Sequence, residues 1–315
     1  MIAVVIPTYK VKERILDVLD HIGPEVDSIY VVDDACPQES GNHVIANTKD
    51  PRIKVLFHTV NIGVGGAVKT GYTAALEDGA DIIVKLDGDG QMDPALIPRL
   101  IDPLIREEAD YIKGNRFYDL GYLKKMPGIR RFGNSMVSFI NKMTSGYWNI
   151  MDPSNGFTAI NAIALRNLPL EKIDNRFFFE SDMLFRLNTI RAVVQDLPMK
   201  AAYGYEKSNL NIWKVLLVFL FKYCNRFFKR IFYNYFLRDF NIGSLELILT
   251  GIFLLFGFIF GGIHWLTSIE TVQPATAGTV LLAGLPVILG FQSLLSFLHY
   301  DVANIPRKPL ISLGM

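Results

Sequence analysis

The chain has 315 residues, with 32 Lys and Arg against 31 Asp and Glu, and half of its residues are hydrophobic. That composition excludes a disordered chain, which needs low hydrophobicity and high net charge, and two cysteines, Cys36 and Cys224, exclude a disulfide scaffold. A net charge near +1 argues against a nucleic-acid binder held by overall charge, and a mean hydropathy of +0.25 suggests that part of the chain sits in lipid.

Short β-type runs at residues 3–6, 28–32, 54–57 and 81–86 alternate with helical patterns at 12–21, 39–46, 64–76 and 94–106. Such alternation predicts βαβ units and a parallel sheet covered on both faces. Ligands bind at the carboxyl ends of strands in such sheets. Three of these ends are polar: Pro7-Thr8-Tyr9, Asp33-Asp34 and Asp87-Gly88-Asp89-Gly90-Gln91. Two carboxylates one residue apart at a strand end suit a hard cation such as Mg²⁺ or Mn²⁺, which takes oxygen ligands from protein and from substrate phosphates. The run from Asn61 through Gly63, Gly65 and Gly66 to Thr70 fits neither a P-loop nor a dinucleotide fingerprint. It reads as a tight helix start close to a ligand or as a plain glycine turn. The cysteines and five histidines form no zinc pattern.

Residues 209–240 are rich in bases and aromatics. Wound as a helix, they place Lys214, Lys222, Arg226, Lys229 and Arg230 on one side and Trp213, Leu217, Leu220, Phe227, Ile231 and Tyr235 as bulky apolar surface, the pattern of a helix in the membrane interface. Two charge-free stretches follow, at 247–263 and 275–298, each long enough to cross a bilayer. Bases flank them (Arg226, Lys229, Arg230 and Arg238 before, Arg307 and Lys308 after), whereas the link at 267–274 carries Glu270 and no base. The positive-inside rule therefore predicts a hairpin with both flanks in the cytosol. The first ten residues lack a basic n-region and do not read as a signal peptide. Two thiols without a partner motif agree with a reducing compartment. The expected organisation is an α/β domain at 1–208, interface helices at 209–240 and a transmembrane hairpin with a cytosolic tail at 241–315.

Val5-Ile6-Pro7-Thr8-Tyr9, Val31-Val32-Asp33-Asp34, Asn61-Ile62-Gly63 with Gly66-Ala67, and Asp87-Gly88-Asp89-Gly90-Gln91 resemble the ordered motifs of family 2 glycosyltransferases. With the C-terminal spans, the whole is similar to the polyisoprenyl-phosphate glycosyltransferases, relatives of dolichyl-phosphate mannose synthase and of bacterial undecaprenyl-phosphate glucosyltransferases. The resemblance implies a GT-A fold: an α/β catalytic domain with a Rossmann-like, mainly parallel sheet, followed by amphipathic interface helices and two transmembrane helices. It implies that Pro7, Tyr9, Asp33, Asp34, Gly66 and Asp87 bind a nucleotide sugar, and that Asp87, Asp89 and Gln91 hold Mg²⁺ or Mn²⁺. Asp152, in Asp152-Pro153-Ser154-Asn155-Gly156-Phe157, matches an element beside the donor sugar and joins Asp87 and Asp89 as catalytic. Arg116, Arg131, Ser135, Glu180 and Asp182 match acceptor-side positions. One departure is Tyr9-Lys10-Val11, where relatives read Tyr-Asn-Glu; Glu13 is the nearest acid.

The implied reaction is metal-dependent, inverting transfer of a hexose to a polyprenyl phosphate at the cytosolic face of a bacterial inner membrane. UDP-glucose is the first choice of donor and GDP-mannose the next. A processive polysaccharide transferase would carry Gln-x-x-Arg-Trp, which the sequence lacks. The other alternative is a non-catalytic, membrane-anchored nucleotide-sugar-binding scaffold. No nucleic-acid partner is expected, and a homo-oligomer stays open.

Overall fold

The computed structural model describes residues 1–200 and 212–314. Asn209, the expected boundary at 208 and the side chains of Trp213, Lys214 and Leu217 lie outside the described residues. Contacts divide the chain into two compact units, Met1–Arg230 with Pro306–Met315, and Ile231–Ile305.

In the first unit the elements run β1 (Ile2–Thr8), α1 (Ile15–Asp20), β2 (Ser28–Asp33), α2 (Ser40–Asn47), β3 (Ile53–Phe57), α3 (Val64–Glu77), β4 (Ile82–Lys85), α4 (Ile97–Ile105), β5 (Tyr111–Asn115), α5 (Leu120–Lys125), α6 (Gly128–Ser145), β6 (Thr158–Asn161), α7 (Ala162–Arg166), α8 (Phe179–Thr189), β7 (Val194–Pro198) and α9 (Ile212–Phe232), whose last two residues belong to the second unit. One seven-stranded sheet has the order β3-β2-β1-β4-β6-β5-β7. The first four strands are mutually parallel, and β6 runs antiparallel to both β4 and β5. The α/β reading of the first hundred residues therefore holds. The helix expected at 12–21 is shorter, and the one at 94–106 opens with a 3-10 turn at Pro94–Leu96, where Asp93 accepts from the Ala95 N–H.

Strands β1, β2 and β4 bury nearly continuous apolar runs, as strands covered on both faces must. The chain winds from β1 outward to β3 and then crosses back to β4. The strand order thus reverses between β1 and β4, and a crevice opens at their carboxyl ends. The tail returns to this unit: the Leu310 N–H donates to both Asp110 carboxylate oxygens, at 3.0 and 3.1 Å. Asp110 also accepts from Val193 and Asn161.

The second unit holds two antiparallel apolar helices, α10 (Ile242–Thr271) and α11 (Ala277–Ala303), whose most apolar windows have mean hydropathy 2.2 and 2.0. Both are long and apolar enough to span a bilayer, and only 22% and 11% of their most apolar windows are buried by protein. That exposure distinguishes them from core helices. Glycines let the backbones approach: a Cβ at 257 would lie 2.6 Å from Val287, and one at 290 would lie 2.7 Å from Leu254. The helix ends differ from the expected spans, because α10 continues to Thr271 and the link shortens accordingly.

Candidate active site

A cavity of 790 Å³ opens at the carboxyl ends of β1 and β4. Its walls include Pro7, Thr8 and Tyr9 after β1, Asp34 after β2, Asp87 and Asp89 after β4, and Glu180 at the start of α8. Helix α9 closes one side with Phe219 and Tyr223. No sequence pattern points to this wall, because it comes from a helix that composition assigns to a membrane surface.

Asp33 and Asp34 divide their work. Asp33 is buried and lies outside the cavity lining; its carboxylate accepts from the Cys36 and Gly41 N–H groups, at 2.7 and 2.6 Å. It shapes the loop into α2. Asp34 does line the cavity, and it accepts from the Ile62 and Gly63 N–H groups at 2.9 and 2.8 Å, with His58 Nδ1 at 2.8 Å. It therefore ties the β2 end to the start of α3. Gly63 has φ +97°, a conformation that favours glycine. Gly63, Val64 and Ala67 line the cavity. Gly66 does not: a Cβ there would strike Ile62, so its smallness serves packing.

Lys85 was not singled out in the sequence, although a base inside the apolar strand Ile82-Ile83-Val84-Lys85 is a readable signal. Its ammonium is buried and lies 2.8 Å from Asp87 Oδ1, 3.2 Å from Glu180 Oε1 and 3.2 Å from the Gly156 carbonyl. It donates hydrogen bonds to Asp87 and to the Gly156 carbonyl and forms an ion pair with Glu180. Burial works against this ammonium, yet the adjacent Asp87 and Glu180 raise its pKa above the ordinary lysine value. Lys113 stands across the intervening β6, both lysines pairing with Thr158 in register, and it donates to the Asn155 carbonyl. The two bases thus pin adjacent carbonyls of the loop entering β6.

Among the described residues no cluster of three or more His, Cys, Asp or Glu side chains could hold a metal ion alone. Mg²⁺ and Mn²⁺ need less, since one or two carboxylates plus substrate phosphate oxygens suffice. Asp87 and Asp89, hard oxygen donors on the wall of one cavity, fit that requirement. Gln91 lies outside the lining and contributes its backbone N–H to Asp89 Oδ1 at 3.0 Å.

Asp152 is fully buried, and Arg116 grips it with both prongs of its fork, at 2.7 and 3.0 Å. This carboxylate is therefore not presented to the cavity, which its neighbours Pro153 and Ser154 line instead. Asp196 holds the same region by accepting from Asn115 Nδ2 and the Met151 N–H. Burial raises its pKa to about 6. Between about pH 4 and 6 the folded state therefore binds more protons at this site than the unfolded chain, and stability falls as pH rises. Asp196→Asn should remove that loss and raise stability at pH 7 by ~2 kcal/mol. Thermal melts of both proteins at pH 4 and pH 7 check this: their difference should grow with pH.

The acceptor-side expectations separate. Glu180 reaches the cavity, but Asp182 does not. Asp182 is fully buried and forms a bidentate pair with Arg226 of α9, at 2.7 and 3.1 Å, while also accepting from the Asp174 N–H. A carboxylate engaged in this way, and negative, cannot also bind an anionic acceptor. Lys222 likewise pairs with Asp174, and the Arg230 guanidinium is buried and donates to the Met143 carbonyl. Three bases expected to face headgroups thus turn inward, because acidic and carbonyl partners wait on the α/β side. Arg131 and Ser135 lie on α6 and line a second cavity of 420 Å³ with Lys142, Phe117, Phe139 and Met151. Helix α6 and the 151–154 segment serve both cavities, since Val137, Pro153 and Ser154 line the first.

A family model described as Glycosyl transferase family 2 matches residues 3–168. An undecaprenyl-phosphate mannosyltransferase of Micrococcus luteus is 32% identical over 200 residues, covering 62% of this chain and 81% of that protein. A UDP-N-acetylglucosamine–dolichyl-phosphate N-acetylglucosaminyltransferase of Methanococcus voltae is 29% identical over 217 residues, covering 64% and 86%. The structure resembles Mycobacterium tuberculosis glucosyl-3-phosphoglycerate synthase in complex with Mn²⁺, UDP and phosphoglyceric acid. The TM-score is 0.55 at 18% identity, over 73% of this chain and 78% of that one. At that identity the likeness shows the fold.

Proposed function

The chain belongs to glycosyl transferase family 2, and from that premise we propose that it transfers a hexose from a nucleoside diphosphate sugar to a polyprenyl phosphate at a membrane. Its first unit is a GT-A fold. The observation that carries the reading is the pair of adjoining cavities. One is walled by strand-end carboxylates, and the other by bases and apolar side chains, with α6 and the 151–154 segment common to both. A donor diphosphate suits the first and a lipid phosphate the second. The names of the relatives, which transfer sugars to undecaprenyl and dolichyl phosphates, support the acceptor class.

In this mechanism Asp87 and Asp89 would hold Mg²⁺ or Mn²⁺, which would supply charge neutralisation for the leaving diphosphate. Pro7, Tyr9 and Asp34 line the donor side, and Lys85 fixes Asp87 from beneath. The acceptor phosphate is largely dianionic at neutral pH and is already a nucleophile, so the site needs no strong general base. Arg131 and Lys142 orient it, with Arg116 held at the partition by Asp152. In-line attack inverts the anomeric carbon. UDP-glucose is the first donor to try, then GDP-mannose and UDP-N-acetylglucosamine. We place the enzyme in a bacterial inner membrane with its catalytic unit in the cytosol.

The test is transfer by the purified full chain in nanodiscs, with undecaprenyl phosphate, each donor, and Mn²⁺ or chelator. No glycosylated lipid from any donor sinks the proposal, and donor binding without transfer favours the scaffold reading. With an active donor, Arg131→Ala should raise the lipid-phosphate KM about 30-fold, the loss of roughly 2 kcal/mol from a charge-assisted contact. Arg131→Lys should fall between, since it keeps charge and loses the fork. Donor KM should hold; an unchanged lipid-phosphate KM removes Arg131 from the site.

A further inference from the structure

Helix α6 presents an apolar stripe to solvent rather than to the core. Ile129, Phe132, Met136 and Phe139 are 86, 68, 48 and 50% exposed. Their spacing of three, four and three residues puts them within about 80° of arc on one helix face. Arg131 and Lys142 lie beside that stripe on the adjoining face, where they also line the second cavity. The surrounding sequence is one-sided in charge: residues 120–151 contain five Lys and Arg and no Asp or Glu.

We propose that α6 lies in the membrane interface, its Ile129–Phe139 stripe among the upper acyl segments and its flanking bases at anionic headgroups. A bulky apolar stripe costs free energy in water, and a soluble unit hides such a stripe unless another phase or partner covers it. Two features of the site choose the bilayer. The flank is cationic without exception over 32 residues, which complements anionic lipid. The same chain also carries two helices able to span a bilayer, so a lipid surface is at hand. An apolar stripe edged by bases on a single helix is the pattern of an interfacial anchor. The proposal deepens the function given above. The second cavity, bordered by α6, would open at headgroup depth, where a lipid phosphate resides, and the acceptor would enter without leaving the bilayer.

The experiment reads depth by tryptophan quenching in the full chain. The three native tryptophans, Trp148, Trp213 and Trp265, are replaced by phenylalanine, and one tryptophan is restored at a time: Phe132→Trp on α6, Ile45→Trp on α2 as a water-side control, and Leu255→Trp on α10 as a membrane control. Each is reconstituted in phosphatidylglycerol vesicles brominated on the acyl chains. We expect Phe132→Trp to be quenched at least about two-fold with a blue-shifted emission, and Ile45→Trp to be unaffected. In brominated phosphatidylcholine the quenching at 132 should weaken, and equal quenching in both lipids would overturn the anionic-headgroup assignment. Quenching at 255 but not at 132 overturns the α6 anchor alone. A blue shift at 132 without quenching assigns the stripe to a protein partner and likewise overturns it. No quenching at either position overturns both the anchor and the membrane reading beneath it.

Discussion

Asp182→Ala is expected to destabilise the catalytic unit by about 3 kcal/mol or more. The Arg226 guanidinium is 18% exposed and its partner wholly buried, so deletion leaves a mostly desolvated charge without its acceptor and frees the Asp174 N–H as well. Removing one partner of a buried pair costs far more than the pair itself contributes. The consequence reaches the site. Arg226 lies on α9, one turn from Tyr223, which bonds Ser181 at 2.8 Å and walls the main cavity with Phe219. A loosened α9 opens that wall. Chemical denaturation of the detergent-solubilised chain measures the first effect, and donor KM measures the second. Arg226→Lys should recover part of both, because charge is kept and the fork is lost. A wild-type melt for Asp182→Ala would show that α9 is held by other means.

Gly156→Ala is expected to show the opposite profile, with a small change in stability and a large loss of rate. A Cβ at 156 would stand 2.5 Å from Lys85 Nζ and closer still to Asp87 Oδ2. Both atoms end flexible side chains, so they can yield, and the fold survives. Asp87 cannot then keep its place on the cavity wall, while Lys85 shifts with it and keeps its acidic partners. Misplacement by about 1 Å at such a group costs on the order of 100-fold in rate. The measurement is kcat beside a melting curve, with Mn²⁺-dependent nucleotide binding as a second readout. Unchanged kcat in a folded Gly156→Ala protein would mean that the position of Asp87 does not govern transfer.

The fold was legible wherever a pattern is local. Alternating short strands and helices gave the α/β class, and polar strand ends at Tyr9, Asp34 and Asp87 gave the edge where the cavity lies. Charge-free length gave α10 and α11. Asp87 and Asp89 could be placed at the crevice from Asp87-Gly88-Asp89 following an apolar strand, because both lie close in sequence to one strand end. The roles of Asp33, Asp152 and Asp182 were not legible. An aspartate in a loop can face a ligand, cap a backbone or pair with a distant base, and the sequence around it is the same in all three cases.

Composition, periodicity and motif order by themselves determined the fold class, the family, the crevice edge and the two apolar helices, because each depends on residues near one another in the chain. Tertiary structure alone decided which charges meet. Arg116 met Asp152 and Arg226 met Asp182, separated by 36 and 44 residues. Lys85 gathered Asp87, Gly156 and Glu180. Lys222, Arg226 and Arg230 of α9 turned toward partners on the α/β side, while α6 was left with an exposed apolar stripe. The physical reason is that a buried ion pair is set by geometry between elements, and Coulomb energy at contact distance depends on where the folded backbone brings two side chains, a quantity no local pattern encodes.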